Sequence, residues 1–240
     1  HPAPIRKTSE HSFCLTLDLR FWDRGLIVKI LHKRMNLLIV AATRMEIEPL
    51  EAYLTRLDDQ QLIRNHAIEI VITGAGGMCT AYHLGKLLQQ DNWDLALNLG
   101  ICGSFDKKIP LGTTVNVVAD TFADLGAEDG DAFLDAFELQ LMNADTFPFE
   151  SGWIPNKFES GITAVKVLPA VRAITVNTVS GNKRTIERRS LKYDAAVESM
   201  EGAAFMWCCS KESIPFLQLR AVSNYVMLRD KNSWDMPAAI

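Results

Sequence analysis

The sequence predicts a single-domain α/β fold, three-layered (α/β/α), around a central mixed, mainly parallel sheet. Three observations carry that prediction. Short, fully apolar runs, such as residues 37–42 and 95–99, alternate with longer stretches of helical spacing; strands covered on both faces read this way. Glycine-rich turns at 73–77 and 98–104 follow two of those runs, at points where a strand hands over to a helix. A chain of 240 residues, 48% of them hydrophobic, can close one sizeable core.

In order along the chain, residues 37–42 form the first strand. Ile47, Leu50, Leu54 and Leu57 then recur at helical spacing over 46–57. A strand over 67–73 precedes a helix over 76–88, with Ala81, Leu84, Leu87 and Leu88 on one side. Strands follow over 95–99, 114–119, 163–167 and 173–179. Helices are expected over 185–191 and 201–209, and a last buried strand over 216–222. The stretch 124–153 is acidic and aromatic with weak periodicity, which suggests a helix with long loops near an edge. Residues 1–34 mix charges and aromatics without a clean period, and their short, interrupted apolar runs do not make a signal peptide. Met35 opens a sharp strand pattern, NLLIVAAT. The expected organisation is therefore a non-native extension over 1–34, with Met35 as the natural start, and a domain over 35–240. Pro237 suits a first helical turn close to the last residue, so the C-terminal helix is expected to be truncated.

Bulk properties exclude several function classes. A formal net charge of −4 argues against a nucleic-acid partner, which needs a basic surface. No run approaches the roughly 20 apolar residues that span a bilayer, so no membrane partner is expected. The five cysteines are odd in number and lack CxxC spacing; a reducing, cytoplasmic compartment is the simplest inference. His66 and His83 lie on separate elements and suggest no metal site. Asp120, Asp124, Glu128 and Asp129 show no recurring ligand spacing and read as a solvated loop.

The residues just beyond strand ends are where an open α/β sheet binds ligands. Thr73-Gly74-Ala75-Gly76-Gly77 imitates a dinucleotide fingerprint but carries Cys79 at the third glycine and Asn98 where a ribose-binding acid would fall. No cofactor is expected. Asn98-Leu99-Gly100-Ile101-Cys102-Gly103-Ser104 is a second glycine-rich turn, which lets backbone approach a ligand closely; tight packing is the plain alternative. Glu46 falls in the first turn of a helix, where the dipole alone would favour a carboxylate. Glu201 opens the apolar helix of ESMEGAA (198–204), and a charge there needs a partner. Arg220 interrupts an otherwise apolar strand and is either paired structurally or aimed at a site.

The series GAGG, NLGICG, ESMEGAA and RAVSN, each at a strand–helix junction, resembles the purine nucleoside phosphorylase/nucleosidase superfamily. Within it, the series is similar to the methylthioadenosine/S-adenosylhomocysteine nucleosidases, and most of all to the futalosine hydrolases. The resemblance covers Met35 to Ile240. It departs from the methylthioadenosine branch at Asn224, where that branch has aspartate; NTVSG, Arg229 and Trp234 favour the futalosine hydrolases. The resemblance implies a nucleoside phosphorylase-like fold, a homodimer, and hydrolysis of a purine nucleoside's N-glycosidic bond. It assigns water activation to Glu46, water holding to Arg220 and the purine N7 to Asn224. Glu201 would grip the ribose hydroxyls, with Met200 packed under the sugar. Gly100 and Ile101 would approach the nucleoside, Ser180 and Gly181 would wall the base, and Arg229 would anchor a carboxylate at the far end of the substrate. A phosphorylase of the same fold is the nearest rival, and a carboxylate at Glu46 would repel its phosphate. A purine sensor without catalysis would be expected to lack Glu46 or Glu201, and both are present.

Overall fold

A computed structural model describes residues 35–59, 67–90, 92–228 and 235–240. The expected extension over 1–34, His66, Arg229 and Trp234 lie outside the described residues. The first half runs β1 (Asn36–Ala41), α1 (Arg44–Asp59), β2 (Ala67–Ile72), α2 (Gly77–Leu87), β3 (Leu95–Ser104) and β4 (Thr114–Phe122). Then come β5 (Gly126–Asp129), β6 (Ala132–Asp135), β7 (Ile154–Pro155), α3 (Thr163–Lys166) and β8 (Ala170–Thr175). The chain continues through α4 (Lys183–Tyr193), β9 (Val197–Ser199), α5 (Gly202–Lys211), β10 (Phe216–Tyr225) and α6 (Met236–Ala239).

The two-residue period of β1 explains its unbroken apolar run. Leu37, Ile39 and Ala41 pack with Ile47, Leu50, Leu54 and Leu57 of α1. Leu38 and Val40 turn the other way, into a cluster with Leu84 of α2 and Phe205, Met206 and Cys209 of α5. Both faces are buried, and each large side chain contributes roughly 1.5–3 kcal/mol of transfer free energy.

The sheet is mixed and mainly parallel, as expected. Strands β2, β1, β3 and β10 are parallel neighbours. β4 joins β10 antiparallel, and β8 and β9 extend from it in parallel. The expected open stack is modified, because β9 returns antiparallel to the end of β3 and closes β3, β10, β4, β8 and β9 into a barrel-like ring. Length explains the closure. β1 covers β3 only from Leu95 to Asn98, which leaves the far half of a ten-residue strand open to β9.

Three expectations are corrected. Residues 163–167 do not form a strand: the short helix α3 occupies that place, and its Ala164 and Val165 are buried. So short an apolar run does not distinguish the two states. The stretch 124–153 holds the β5–β6 hairpin and a series of turns where a helix was expected. Gly130 at φ 57°, followed by Asp131, supplies the tight connection. Third, the turn expected at 98–104 is strand, because β10 pairs with β3 from Ala96 to Ser104. Near the last residue, Pro237 lies in the first turn of α6 as expected, and Asp235 caps it by accepting from Ala238 N at 3.1 Å.

Candidate active site

A cavity of about 280 Å³ opens where β1, β3, β9 and β10 converge, a size suited to one small molecule. Thr43, Met45 and Glu46 enter it after β1, and Ala75 after β2. Ile101, Cys102 and Gly103 of β3 line it, together with Val179, Ser180 and residues 198–201. Ser223, Asn224 and Tyr225 close the β10 side.

Glu46 is almost fully buried. One oxygen accepts from both Thr43 N and Thr43 Oγ1 at 2.8 Å, so Thr-x-x-Glu starts α1 as a capping box whose glutamate reaches back to the cap. The other oxygen accepts from Ile101 N at 3.2 Å. Glu201 is held just as firmly. Gly76 N donates to its Oε1 at 3.1 Å, and Arg220 Nη1 stands 3.4 Å from its Oε2. The GAGG turn thus presents an amide to a carboxylate, with Gly74 and Gly76 at φ 83° and 97°, where glycine alone is comfortable.

Arg220 is 1% exposed. Its Nη2 donates to Asn98 Oδ1, and Asn98 Nδ2 donates in turn to Val40 O at 3.2 Å. Gly100 makes room for this group: a Cβ there would lie 2.5 Å from Arg220 Nη1 and 2.8 Å from Glu46 Oε1. Glycine inside a strand often marks such a close approach. Gly100, Gly181 and Arg220 stand off the cavity wall, and Arg220 reaches it through Glu201.

On the opposite side, Asn224 Nδ2 donates to Tyr225 O at 3.2 Å, and Ser223 Oγ lies 3.0 Å from Asn224 Oδ1. These contacts orient the amide, nitrogen toward the carbonyl and oxygen toward the hydroxyl. Cys102 also lines the cavity, but burial pushes its thiol up to about 12, so it stays protonated and is no nucleophile.

Sequence pattern alone assigns Glu198 no role. It is buried on the cavity wall, and its oxygens accept from Ser180 N at 2.8 Å and Ser180 Oγ at 2.7 Å. Arg189 Nη1 lies 3.6 Å away. Of the acidic group, Glu128 and Asp129 are exposed as expected, but Asp120 is not: it is fully buried in β4 and accepts from Thr175 Oγ1 and Gln218 Nε2, each at 3.0 Å. Thr175 Oγ1 in turn accepts from Ala203 N at the start of α5, so this network seats the helix that Glu201 opens.

The sequence profile of the phosphorylase superfamily matches residues 39–238. The chain belongs to that superfamily. Its relatives within the superfamily include the futalosine hydrolase of Streptomyces coelicolor, 32% identical over 149 residues. That match spans 62% of this chain and 61% of the Streptomyces protein. The futalosine hydrolase of Thermus thermophilus is 27% identical over 206 residues, 85% of this chain and 89% of its own. Among superfamily structures, the methylthioadenosine/S-adenosylhomocysteine nucleosidase of Helicobacter pylori with butyl-thio-DADMe-Immucillin-A aligns at a TM-score of 0.67. It is 17% identical and covers 87% of this chain and 94% of its own. Native futalosine hydrolase of the same organism aligns at 0.66, with 16% identity and coverages of 87% and 95%. At such identities the structures establish the nucleosidase-like α/β fold.

Proposed function

We propose that this chain hydrolyses the N-glycosidic bond of a purine nucleoside, and that the nucleoside is futalosine, cleaved to hypoxanthine and dehypoxanthine futalosine in menaquinone synthesis. The observation that carries the reading is the buried Glu46 carboxylate on the cavity wall, side by side with Arg220 around the missing Cβ of Gly100. The curated relatives named futalosine hydrolase support the choice of substrate.

Glu46 takes a proton from water as the water oxygen bonds to C1′ of the ribose. The C1′–N9 bond breaks and its electron pair leaves with the base. Glu201, held by Gly76 and Arg220, accepts from the ribose hydroxyls and steadies the cationic sugar. Met200 packs beneath the sugar, Ile101 borders it with Gly100 set behind the wall, and Ser180 walls the base, with Gly181 next to it in the chain but off the wall. Asn224 donates to N7 and, being unable to release a proton, leaves protonation of the base to solvent. Arg229 anchors the distal carboxylate of futalosine in this reading.

A phosphorylase would place phosphate where Glu46 stands, and like charges in a buried site repel strongly. A methylthioadenosine nucleosidase is the other alternative, and Asn224 argues against it. The reading includes a cytoplasmic homodimer whose partner closes the 5′ end of the pocket; sedimentation of a fully active monomer contradicts that part. The deciding experiment incubates the protein with futalosine, inosine and methylthioadenosine, with and without phosphate, and identifies the free base. Release of hypoxanthine from futalosine without phosphate is expected; dependence on phosphate overturns hydrolysis.

A further inference from the structure

Arg189 is a buried cation with no part in the chemistry at the cavity. It belongs to α4, its side chain is 3% exposed, and it stands behind the cavity wall without lining it. A guanidinium is costly to bury unless its hydrogens and its charge are both answered. The answers converge on residues 177–180, which lie between β8 and α4 and belong to neither. That loop puts Val179 and Ser180 on the cavity wall. Arg189 Nη1 donates to Thr178 O at 2.9 Å and to Ser180 Oγ at 2.8 Å. Ser180 Oγ donates in turn to Glu198 at 2.7 Å. With a lone pair engaged by Arg189, the hydroxyl has its hydrogen turned toward Glu198.

Asp124, two residues past β4, holds the other end of the loop. Its Oδ2 accepts from Asn177 N at 2.6 Å and from Thr178 N at 3.3 Å, and its Oδ1 accepts from Asn177 Nδ2 at 3.0 Å. Asp124 does not line the cavity either. Its carboxylate lies 3.6 Å from Arg189 Nη2, and that of Glu198 lies 3.6 Å from Nη1. One guanidinium therefore ties the loop to the end of β4 and to β9. A segment outside helix and sheet has no ladder to fix it, and hydrogen bonds to ionised groups are the strong kind. These charges decide where Val179 and Ser180 stand.

We infer that Arg189 and Asp124 are positioning residues that hold the 177–180 wall in its binding geometry before a purine base arrives. The inference rests on the purine nucleosidase reading above, in which Ser180 walls the base. A wall ordered in advance spares the ligand the cost of ordering it.

The test compares Arg189→Lys and Asp124→Asn with the parent for kcat, for KM and for inhibition by two probes, free hypoxanthine and free ribose. Lysine keeps the charge but lacks the planar fork that reaches the loop and both carboxylates. Asparagine keeps the shape of Asp124 and loses its charge and one acceptor. In both variants KM and the inhibition constant of hypoxanthine are expected to rise together, by about tenfold or more, while kcat and inhibition by ribose stay within about threefold. Equal weakening of both probes in a folded variant makes the pair a general structural support and overturns the inference. Unchanged inhibition by hypoxanthine in the folded variants also overturns it, and leaves the nucleosidase reading standing. If the variants do not fold, amide hydrogen exchange in the parent decides. Asn177, Thr178 and Ser180 amides protected without ligand support the inference, and amides that exchange freely until hypoxanthine is added overturn it. A parent that releases no purine from any nucleoside overturns the nucleosidase reading and the inference with it.

Discussion

Arg220 and Glu201 form a buried ion pair, Nη1 to Oε2 at 3.4 Å, with side chains 1% and 7% exposed. Breaking such a pair from one side typically costs about 3–5 kcal/mol, because a charge is left without its partner. Asn98 holds the same guanidinium from behind, so its position is set from two directions. The missing side chain of Gly100 completes the arrangement.

Gly100→Ala is accordingly expected to abolish most activity while leaving the fold intact. The new methyl would meet Arg220 Nη1 at 2.5 Å and Glu46 Oε1 at 2.8 Å, and both groups would have to give up hydrogen bonds that now hold them. Overpacking of this kind costs about 1–3 kcal/mol of stability, and misplacing catalytic groups by an ångström costs on the order of 10²-fold in rate. Thermal denaturation and single-substrate kinetics check both. Normal turnover in a folded Gly100→Ala would mean that Arg220 and Glu46 need not sit together.

Glu46→Gln removes the base but keeps the shape. The amide oxygen can still accept from Thr43 or Ile101, so the cap of α1 survives in part. Turnover is expected to fall about 10²–10⁴-fold with substrate affinity near that of the parent. A loss confined to affinity, read from the split between kcat and KM, assigns Glu46 to binding and capping alone.

The reach of the sequence can be judged residue by residue. Glu201 and Arg220 were legible because each is a charge set against an apolar pattern, and Glu46 because it falls in a helix's first turn just beyond a strand; the structure brings Glu46 and Arg220 together at Gly100 and pairs Arg220 with Glu201. Glu198 was not singled out, because β9 has only three residues and no period can be read from three. Gly100 and Gly103 read as a turn because their strand character depends on β10, more than a hundred positions away. Asp120 followed an apolar run and read as a loop acid; its partners Thr175 and Gln218 are 55 and 98 positions distant. Local pattern carried the elements and the isolated charges, and pairings across the sheet supplied the rest.

Asp120 gives the fold a pH dependence. Burial pushes its carboxyl up to about 6, against hydrogen bonds from Gln218 and Thr175 and the charge of Arg220. An unfolded aspartate releases its proton near 3.9. Between roughly pH 4 and 6 the unfolded chain has lost that proton and the folded chain keeps it. Stability is therefore fully present below that window, falls as pH rises through it, and levels off above. Asp120→Asn stays neutral and removes the decline. Its amide can also donate to Gln218 Oε1, which has no partner. The variant should gain on the parent between pH 4 and 7, by at most about 3 kcal/mol. Urea unfolding at the two pH values measures the difference; a gain independent of pH would exclude Asp120 as the titrating group.

Asn224 decides between departing bases, and its hydrogen bonds sharpen the expectation. One amide hydrogen is spent on Tyr225 O, and the amide oxygen faces Ser223 Oγ. The second hydrogen remains for the ligand, so Nδ2 meets it as a donor. Hypoxanthine presents N7 and a 6-carbonyl there, two acceptors that one N–H can address together. Adenine presents N7 beside an amino group, which would confront a donor with a donor. An aspartate in the same place would reverse the preference, since its carboxylate accepts from the amino group and, when protonated, donates to N7. Ser223 and the Tyr225 carbonyl stay in place in either case, although Tyr225 O would face a carboxylate oxygen in the variant, a repulsion that favours its protonated form. Mismatched polar groups in a closed pocket can discriminate by factors of 10² and more. The expected result is a parent that prefers hypoxanthine release over adenine release from matched nucleosides, and an Asn224→Asp variant that shifts toward adenine by at least tenfold. A parent that prefers adenine nucleosides turns the reading from futalosine toward methylthioadenosine, and leaves the roles of Glu46 and Glu201 as they are.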